Sequence, residues 1–163
     1  MKTILSELCS DLQELPSETC GILHSSNLTV HDAVYCVALV GSRGRNGTPR
    51  EDSDIDLSLL VDSVSLTNST DRDTFLRELL GVTLDNWRSS CELDAAAIFD
   101  KSGCRLLCYD GSSPVEVRCG RAQPDCIGVF KIHKGFNGFV PDIGIDVKRL
   151  FPITTIWRRS QSL

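Results

Sequence analysis

Two apolar segments joined by a polar loop constrain the fold of this chain more than any other feature. The first, AVYCVALV (33–40), is apolar on both faces and rich in valine, which is typical of a buried central strand. The second, DIDLSLLVD (54–62), alternates apolar residues on one face with acidic and hydroxyl residues on the other, Leu60 being the exception. We therefore predict two strands, the second with one buried and one polar face.

The remaining periodicities predict a mixed fold. Residues 71–89 open with a Ser/Thr/Asp cap and continue at helical spacing, so they predict a helix that crosses over to a third strand at 91–99. Residues 2–15 predict an amphipathic helix that Pro16 ends, whereas residues 16–32 fit neither pattern. The order helix, strand, loop, strand, helix, strand indicates an α/β (α+β) class, with a small mixed sheet flanked by helices.

The C-terminal part of the chain has a different character. Residues 111–163 are rich in glycine and proline, which predicts short strands joined by loops. A chain of 163 residues with 41% hydrophobic content can bury one core. We therefore treat 1–110 as the core of the fold and 111–163 as a C-terminal extension of the same domain.

The two acids that open the second strand predict a metal site. Side chains repeat every second residue along a strand, so Asp54 and Asp56 share a face, with Cα atoms about 6.5 Å apart. Two carboxylates this close repel one another unless a cation lies between them. Magnesium prefers a few protein carboxylates together with water and substrate phosphates. A nucleoside triphosphate would complete such a site.

A Gly-Ser turn follows the first strand and predicts a phosphate-binding loop. Gly41 allows a ligand to approach the backbone, and Ser42 offers a hydroxyl and an amide to a phosphate. Arg43, Arg45 and Arg50 add positive charge to the same loop. Eleven residues separate Ser42 from Asp54, so the loop and the acids belong to one stretch of chain.

The segment GSRGRNGTPREDSDIDLSLLVD (41–62) resembles the signature of the nucleotidyltransferase superfamily, with its polymerase-beta-like fold, and especially its minimal nucleotidyltransferase branch. The interval between Gly-Ser and Asp-x-Asp is one residue longer than the minimal branch usually has. The resemblance covers 33–62 most closely, extends to about 110 by the order of elements, and does not reach 111–163. It implies a third carboxylate on the next strand, for which Asp94 matches best. Glu92 and Asp100 are the alternatives, because their side chains would point to the same face of that strand.

The resemblance also implies a reaction. It is the transfer of a nucleoside monophosphate, AMP from ATP or another nucleoside triphosphate, by two-metal displacement with Mg²⁺. The residues implied for catalysis and metal binding are Asp54, Asp56 and Asp94, of which Asp94 would accept the proton. The residues implied for nucleotide binding are Gly41, Ser42, Arg43 and Arg45.

The resemblance leaves the acceptor open. It is a protein hydroxyl in the antitoxins of the minimal branch and a small molecule in the antibiotic-modifying relatives. The alternative function is a non-catalytic module that keeps the fold and binds a nucleotide or a partner protein.

Charge is distributed unevenly along the chain. Residues 1–100 hold 7 Lys and Arg against 17 Asp and Glu, whereas 101–163 hold 10 against 5. The two parts could present metal-binding carboxylates and anion-binding cations across one cleft, or simply an uneven solvated surface. Lys131 and Lys134 in KIHKGFNG are interpreted as solvated loop residues, with contact to phosphate or acceptor as the alternative. An aromatic content of 6% without a basic stripe does not favour nucleic acid as the main partner.

Cysteine usage and the N-terminus favour a cytoplasmic protein. The eight cysteines are interpreted as reduced thiols, because their spacing fits no familiar zinc pattern and the chain is large for a disulfide scaffold. No stretch approaches the roughly 18 apolar residues of a membrane span. The first fifteen residues carry acids, unlike a secretory signal. We therefore predict a cytoplasmic location and no membrane partner.

Overall fold

The structure is a computed structural model that describes residues 2–3, 12, 14–109, 119–120, 126–144 and 153–160. In chain order, its helices and strands are β1 (Lys2–Thr3), α1 (Ser17–Ser25), β2 (Thr29–Val30), β3 (Val34–Val40), β4 (Ile55–Val61), α2 (Ser63–Thr67), α3 (Arg72–Asn86), β5 (Leu93–Asp100), β6 (Ile127–Lys131), β7 (Gly138–Phe139) and β8 (Thr154–Arg158). Short 3-10 turns lie at Leu107–Tyr109 and Val140–Ile143.

A six-stranded mixed sheet carries the candidate site. The strand order is β7-β6-β5-β4-β3-β8. Strands β4 and β5 are parallel, whereas the other neighbouring pairs are antiparallel. Strands β1 and β2 form a separate antiparallel pair. The predicted fold class, a mixed sheet with helices, is confirmed.

Helix α3 makes the crossover that keeps β4 and β5 parallel. It begins after Asp71, whose carboxylate accepts a hydrogen bond from the Thr74 amide at 3.2 Å. It ends short of the predicted residue 89, because Trp87 adopts an extended backbone and its indole donates to the Cys91 carbonyl. The buried residues of α3 are Leu76, Leu79, Leu80 and Thr83. As a result, the N-terminal ends of β4 and β5 lie side by side.

The second face of β4 is buried as well, so the prediction of one polar face is wrong over most of the strand. Ser58 is 3% exposed and Leu60 is 2% exposed. A second apolar core covers this face, and much of it comes from residues beyond 110. Its members are Cys36, Ala38, Val40, Leu60, Ile98, Leu106, Cys108, Tyr109, Cys126, Ile127, Val129, Val140 and Ile153. The described strands of the C-terminal extension therefore complete the same sheet and its core.

The N-terminal prediction fails where it can be compared. Lys2–Thr3 is a strand that pairs with Thr29–Val30, rather than the start of a helix. Residues 4–11 and 13, which make up most of the predicted helix, lie outside the described residues. The unassigned segment 16–32 contains α1 and β2. Apolar spacing alone did not reveal β1, because its ladder partner is more than twenty residues away.

Two sequence expectations concern the chain as a whole. Among the helices that the structure describes, none has the length and apolar character needed to cross a membrane. No disulfide joins the cysteines that the structure describes, and those that are buried are Cys36, Cys108 and Cys126. The cytoplasmic location stays a prediction.

Candidate active site

Three carboxylates meet at the end of the sheet where β4 and β5 begin. Asp54 immediately precedes β4, and Asp56 and Asp94 are directly opposite one another in the parallel ladder. One carboxylate oxygen from each of the three lies within 4.8 Å of the others. The parallel register is what brings them together, because it aligns the start of β5 with the start of β4. We call Asp54, Asp56 and Asp94 the acid triad.

Of the three candidates for the third acid, Asp94 is the one that joins Asp54 and Asp56. Asp100 closes β5 at the opposite end, where its carboxylate accepts a hydrogen bond from the Ser102 amide at 2.8 Å. Glu92 lies beside the triad, and its carboxylate is 3.7 Å from the Lys134 ammonium. The sequence predicts only that all three side chains point to the same face of the strand. The register of the ladder distinguishes them, because it places Asp94 opposite Asp56.

Crowding of the acid triad perturbs its protonation. Partial burial, followed by repulsion from Asp54 and Asp94, raises the pKa of Asp56 to about 6. Partial burial also opposes ionisation of Asp54, but a hydrogen bond and charge from Lys134 outweigh it, so the pKa of Asp54 is lowered. The triad therefore holds negative charge that a cation would stabilise.

Two lysines from the C-terminal extension supply cations to the triad. Lys131 ends β6, and its ammonium donates to Asp94 Oδ2 at 2.8 Å. Lys134, in the turn that follows, donates to Asp54 Oδ2. The interpretation of Lys131 as a solvated loop residue is wrong, because its side chain is only 19% exposed and belongs to a strand. The only sequence signal was two lysines three residues apart after an apolar segment.

The chemistry of the triad fits a hard divalent cation. Asp94 Oδ2 accepts from Lys131, but Asp94 Oδ1 is buried and has no hydrogen-bond partner among the described residues. A buried acceptor without a partner costs about 1–3 kcal/mol, which a bound cation would recover. Carboxylate oxygens are the ligands that Mg²⁺ prefers, and Mg²⁺ typically takes only one or two from the protein besides substrate phosphates. Three carboxylates shared between the two predicted ions lie within that number, so the residues present fit Mg²⁺.

Gly41 connects the phosphate-binding loop to the triad directly. It follows β3 with a φ of +79°, and Val40 lies opposite Asp56 in the ladder. A Cβ atom on Gly41 would lie 2.9 Å from Asp56 Cγ and closer still to Oδ2. The glycine is thus required by the carboxylate packed against it. Ser42, the next residue, is partly buried, and its hydroxyl is the group predicted to bind a phosphate.

The two arginines predicted to bind nucleotide both contact other residues of the chain. Arg43 is 2% exposed, and its guanidinium donates to the carbonyls of Ser53 at 2.6 Å and Glu51 at 3.2 Å. It therefore fixes the residue that precedes Asp54, which favours a positioning role. Arg45 pairs with Glu14 and is 25% exposed. Nucleotide binding by these two arginines stays a prediction.

We expect Arg43→Met to destabilise the protein by about 2–3 kcal/mol, because three backbone carbonyls lose the hydrogen bonds of a buried charged donor. The matched control is Arg50→Met in the same loop, since the Arg50 side chain is 83% exposed and should cost less than about 0.5 kcal/mol. Urea unfolding of the three proteins measures the difference. Equal stability of the two variants would show that the buried guanidinium does not hold the loop.

A separate cavity of about 640 Å³ lies at the other end of the sheet. Its walls include Asp62 and Asp100, which lie at the C-terminal ends of β4 and β5. Because Asp56 and Asp62 are six residues apart on one strand, about 20 Å separates this cavity from the triad. Asp62 already accepts a hydrogen bond from the Val64 amide at 2.9 Å. The cavity is therefore not part of the triad site.

Comparison with known proteins does not identify the chain. It matches no protein-family model, no curated protein and no solved structure at a significant level. The assignment to a function therefore rests on the motif and on the geometry of the triad.

Proposed function

We propose that this chain is a Mg²⁺-dependent nucleotidyltransferase that moves a nucleoside monophosphate, with AMP from ATP as the first candidate, onto a hydroxyl of a protein or small molecule. The observation that carries the proposal is the convergence of Asp54, Asp56 and Asp94 within 4.8 Å beside the Gly41–Ser42 turn. Neither the acids nor the turn is specific alone. Their direct contact through Gly41 and Asp56 makes them one site.

Each residue of the site has a role in this reaction. The acid triad would hold magnesium, which when bound supplies charge neutralisation for the triphosphate and lowers the pKa of the acceptor hydroxyl. The Ser42 hydroxyl donates to a triphosphate oxygen. The acceptor oxygen attacks the α-phosphorus, the bond to pyrophosphate breaks, and Asp94 takes the acceptor proton. Lys131 occupies only Oδ2 of Asp94, so Oδ1 is the oxygen left to contact both the cation and the acceptor hydroxyl.

One observation favours the alternative, a module that binds nucleotide or a partner without catalysis. Arg43 and Arg45 make contacts within the protein, so the loop contributes fewer cations to a triphosphate than its sequence predicts. Lys131 and Lys134 offset part of this deficit, because they bring positive charge to the triad from the opposite side. We therefore favour catalysis.

The test is transfer of label from α-labelled nucleoside triphosphates in a host lysate with Mg²⁺. We expect label from ATP on a protein or a small molecule, separable by size, and loss of transfer in EDTA. The variant expected to lose transfer is Asp56→Asn, and its control is Asp62→Asn, which makes the same chemical change at the other end of β4. Asp62→Asn also preserves the cap of α2, since asparagine caps a helix as well as aspartate does. Nucleotide binding without transfer from any of the four triphosphates would support the binding module.

A further inference from the structure

The acid triad is already partly neutralised by cations of the chain itself. Lys131 contributes one ammonium, 2.8 Å from Asp94, and Lys134 contributes another, bonded to Asp54 and 3.7 Å from Glu92. Lys131 lies in β6, opposite Ala96 of β5, and Lys134 lies in the turn that follows β6. A divalent cation that binds the triad must therefore compete with at least one of them.

The two lysines differ in how firmly they are held. Lys131 is a ladder residue of β6, its side chain is 19% exposed, and its ammonium also lies 5.3 Å from the centre of the Phe136 ring. Lys134 is in a turn with a φ of +52°, and its side chain is 44% exposed. A long exposed side chain regains rotamer freedom when it leaves an ion pair, whereas a strand residue packed on a ring regains less. Lys134 is thus the ammonium that can leave.

We propose that Lys134 is a displaceable counter-cation of the triad. Its ammonium holds Asp54 while no metal is bound, leaves when a divalent cation binds, and then neutralises a phosphate of the incoming triphosphate, while Lys131 stays on Asp94. The phosphate step rests on the proposed function, but the displacement requires only that the triad binds metal. Formal charge agrees with this exchange, because three carboxylates and Lys131 sum to −2, which one divalent cation balances.

The inference predicts opposite effects of one substitution on two ligands. Lys134→Met keeps the aliphatic length but removes the positive charge. Without that charge, Mn²⁺ alone should bind about five- to tenfold more tightly, because no ammonium competes for Asp54. The metal–nucleotide complex should bind about fivefold more weakly, because one phosphate loses its partner.

The control variant is Lys101→Met, which makes the same change in an exposed lysine at the opposite end of β5. Free Mn²⁺ in titrations of the full chain, read by electron paramagnetic resonance, gives the affinities. We expect Lys101→Met to match wild type within about twofold, since that charge lies beyond the Debye length of roughly 8 Å. Mn²⁺ affinity that is unchanged or weaker in Lys134→Met overturns the inference, and so does the absence of Mn²⁺ binding in every variant.

A second measurement observes the ammonium itself. The chain has five lysines, so the ¹⁵N signals of hydrogen-bonded ammonium groups can be assigned with single Lys→Met variants. Mg²⁺ should abolish or shift the Lys134 signal and leave that of Lys131 in place. Persistence of the Lys134 signal at saturating Mg²⁺ overturns the inference even if label transfer is found. Displacement without label transfer would support the inference and count against the proposed reaction.

Discussion

Asp56→Asn is expected to reduce nucleotidyl transfer by about 10³-fold or more, because it removes a charged metal ligand at the centre of the triad. The same variant should be at least as stable as wild type when no metal is present. Asparagine fills the same volume, but it does not repel Asp54 and Asp94, which help to raise the pKa of Asp56. Loss of activity with unchanged or improved stability distinguishes a functional residue from a structural one.

Asp62→Asn is the matched control, since it changes the same functional group at the far end of β4. Its transfer rate should stay close to that of wild type. Transfer assays with both variants, together with urea unfolding in EDTA, give the two quantities. If Asp56→Asn lost stability by several kcal/mol, the triad would be a structural feature and the proposed reaction would lack its central ligand.

The stability gain of Asp56→Asn should depend on pH in a defined direction. The folded protein binds the Asp56 proton more tightly than the unfolded chain, because the pKa rises from 3.8 to about 6. The contribution of Asp56 to the free energy of unfolding in EDTA is therefore lost as pH rises through about 6. Asp56→Asn has no such contribution to lose. After discounting for solvent screening of a half-exposed group, the advantage should be near zero at about pH 4 and reach about 1 kcal/mol above about pH 7.

Hydrophobic periodicity predicted the framework that supports the triad. Strands β3, β4 and β5 and helix α3 all lie within a few residues of their expected bounds, because each has enough apolar residues to show its period. The side-chain parity of Asp54 and Asp56 follows from the strand itself. Their approach to Asp94 required one further fact, the parallel register of β4 and β5, which depends on the crossover through α3.

The features that could not be predicted depend on contacts between distant parts of the chain. The second face of β4 looked polar because local alternation carries no information about the extension that covers it. The contact between Lys131 and Asp94 depends on the antiparallel register of β5 and β6, which the sequence does not show. Arg43 in a charged loop has the same sequence character whether its guanidinium is buried or solvated. Its burial depends on how the loop closes around the carbonyls of Glu51 and Ser53.

Among substitutions that add a single methyl group near the triad, Gly41→Ala should damage the site most. The substitution adds left-handed backbone strain at a φ of +79° and forces a Cβ atom against the Asp56 carboxylate. We expect a stability loss of about 2–4 kcal/mol, of which strain supplies roughly 1–2. Transfer should fall by about 10²-fold or more, because displacement of a ligand by about 1 Å is enough for such a loss.

Gly103→Ala separates the two causes, because Gly103 has a φ of +75° but nothing within 4 Å of an added Cβ. Gly103→Ala should lose only the stability that backbone strain costs, about 1 kcal/mol in the free energy of unfolding. Its transfer activity should be unchanged. The contact with Asp56 is measured by adding Gly41→Ala to an Asp56→Ala background, where the carboxylate is gone. The stability cost of the methyl group should then fall towards that of Gly103→Ala, and the difference is the coupling energy of the pair. Full additivity in this cycle would mean that Gly41 is required by its backbone conformation only, and that the turn and the acids are not joined through this contact.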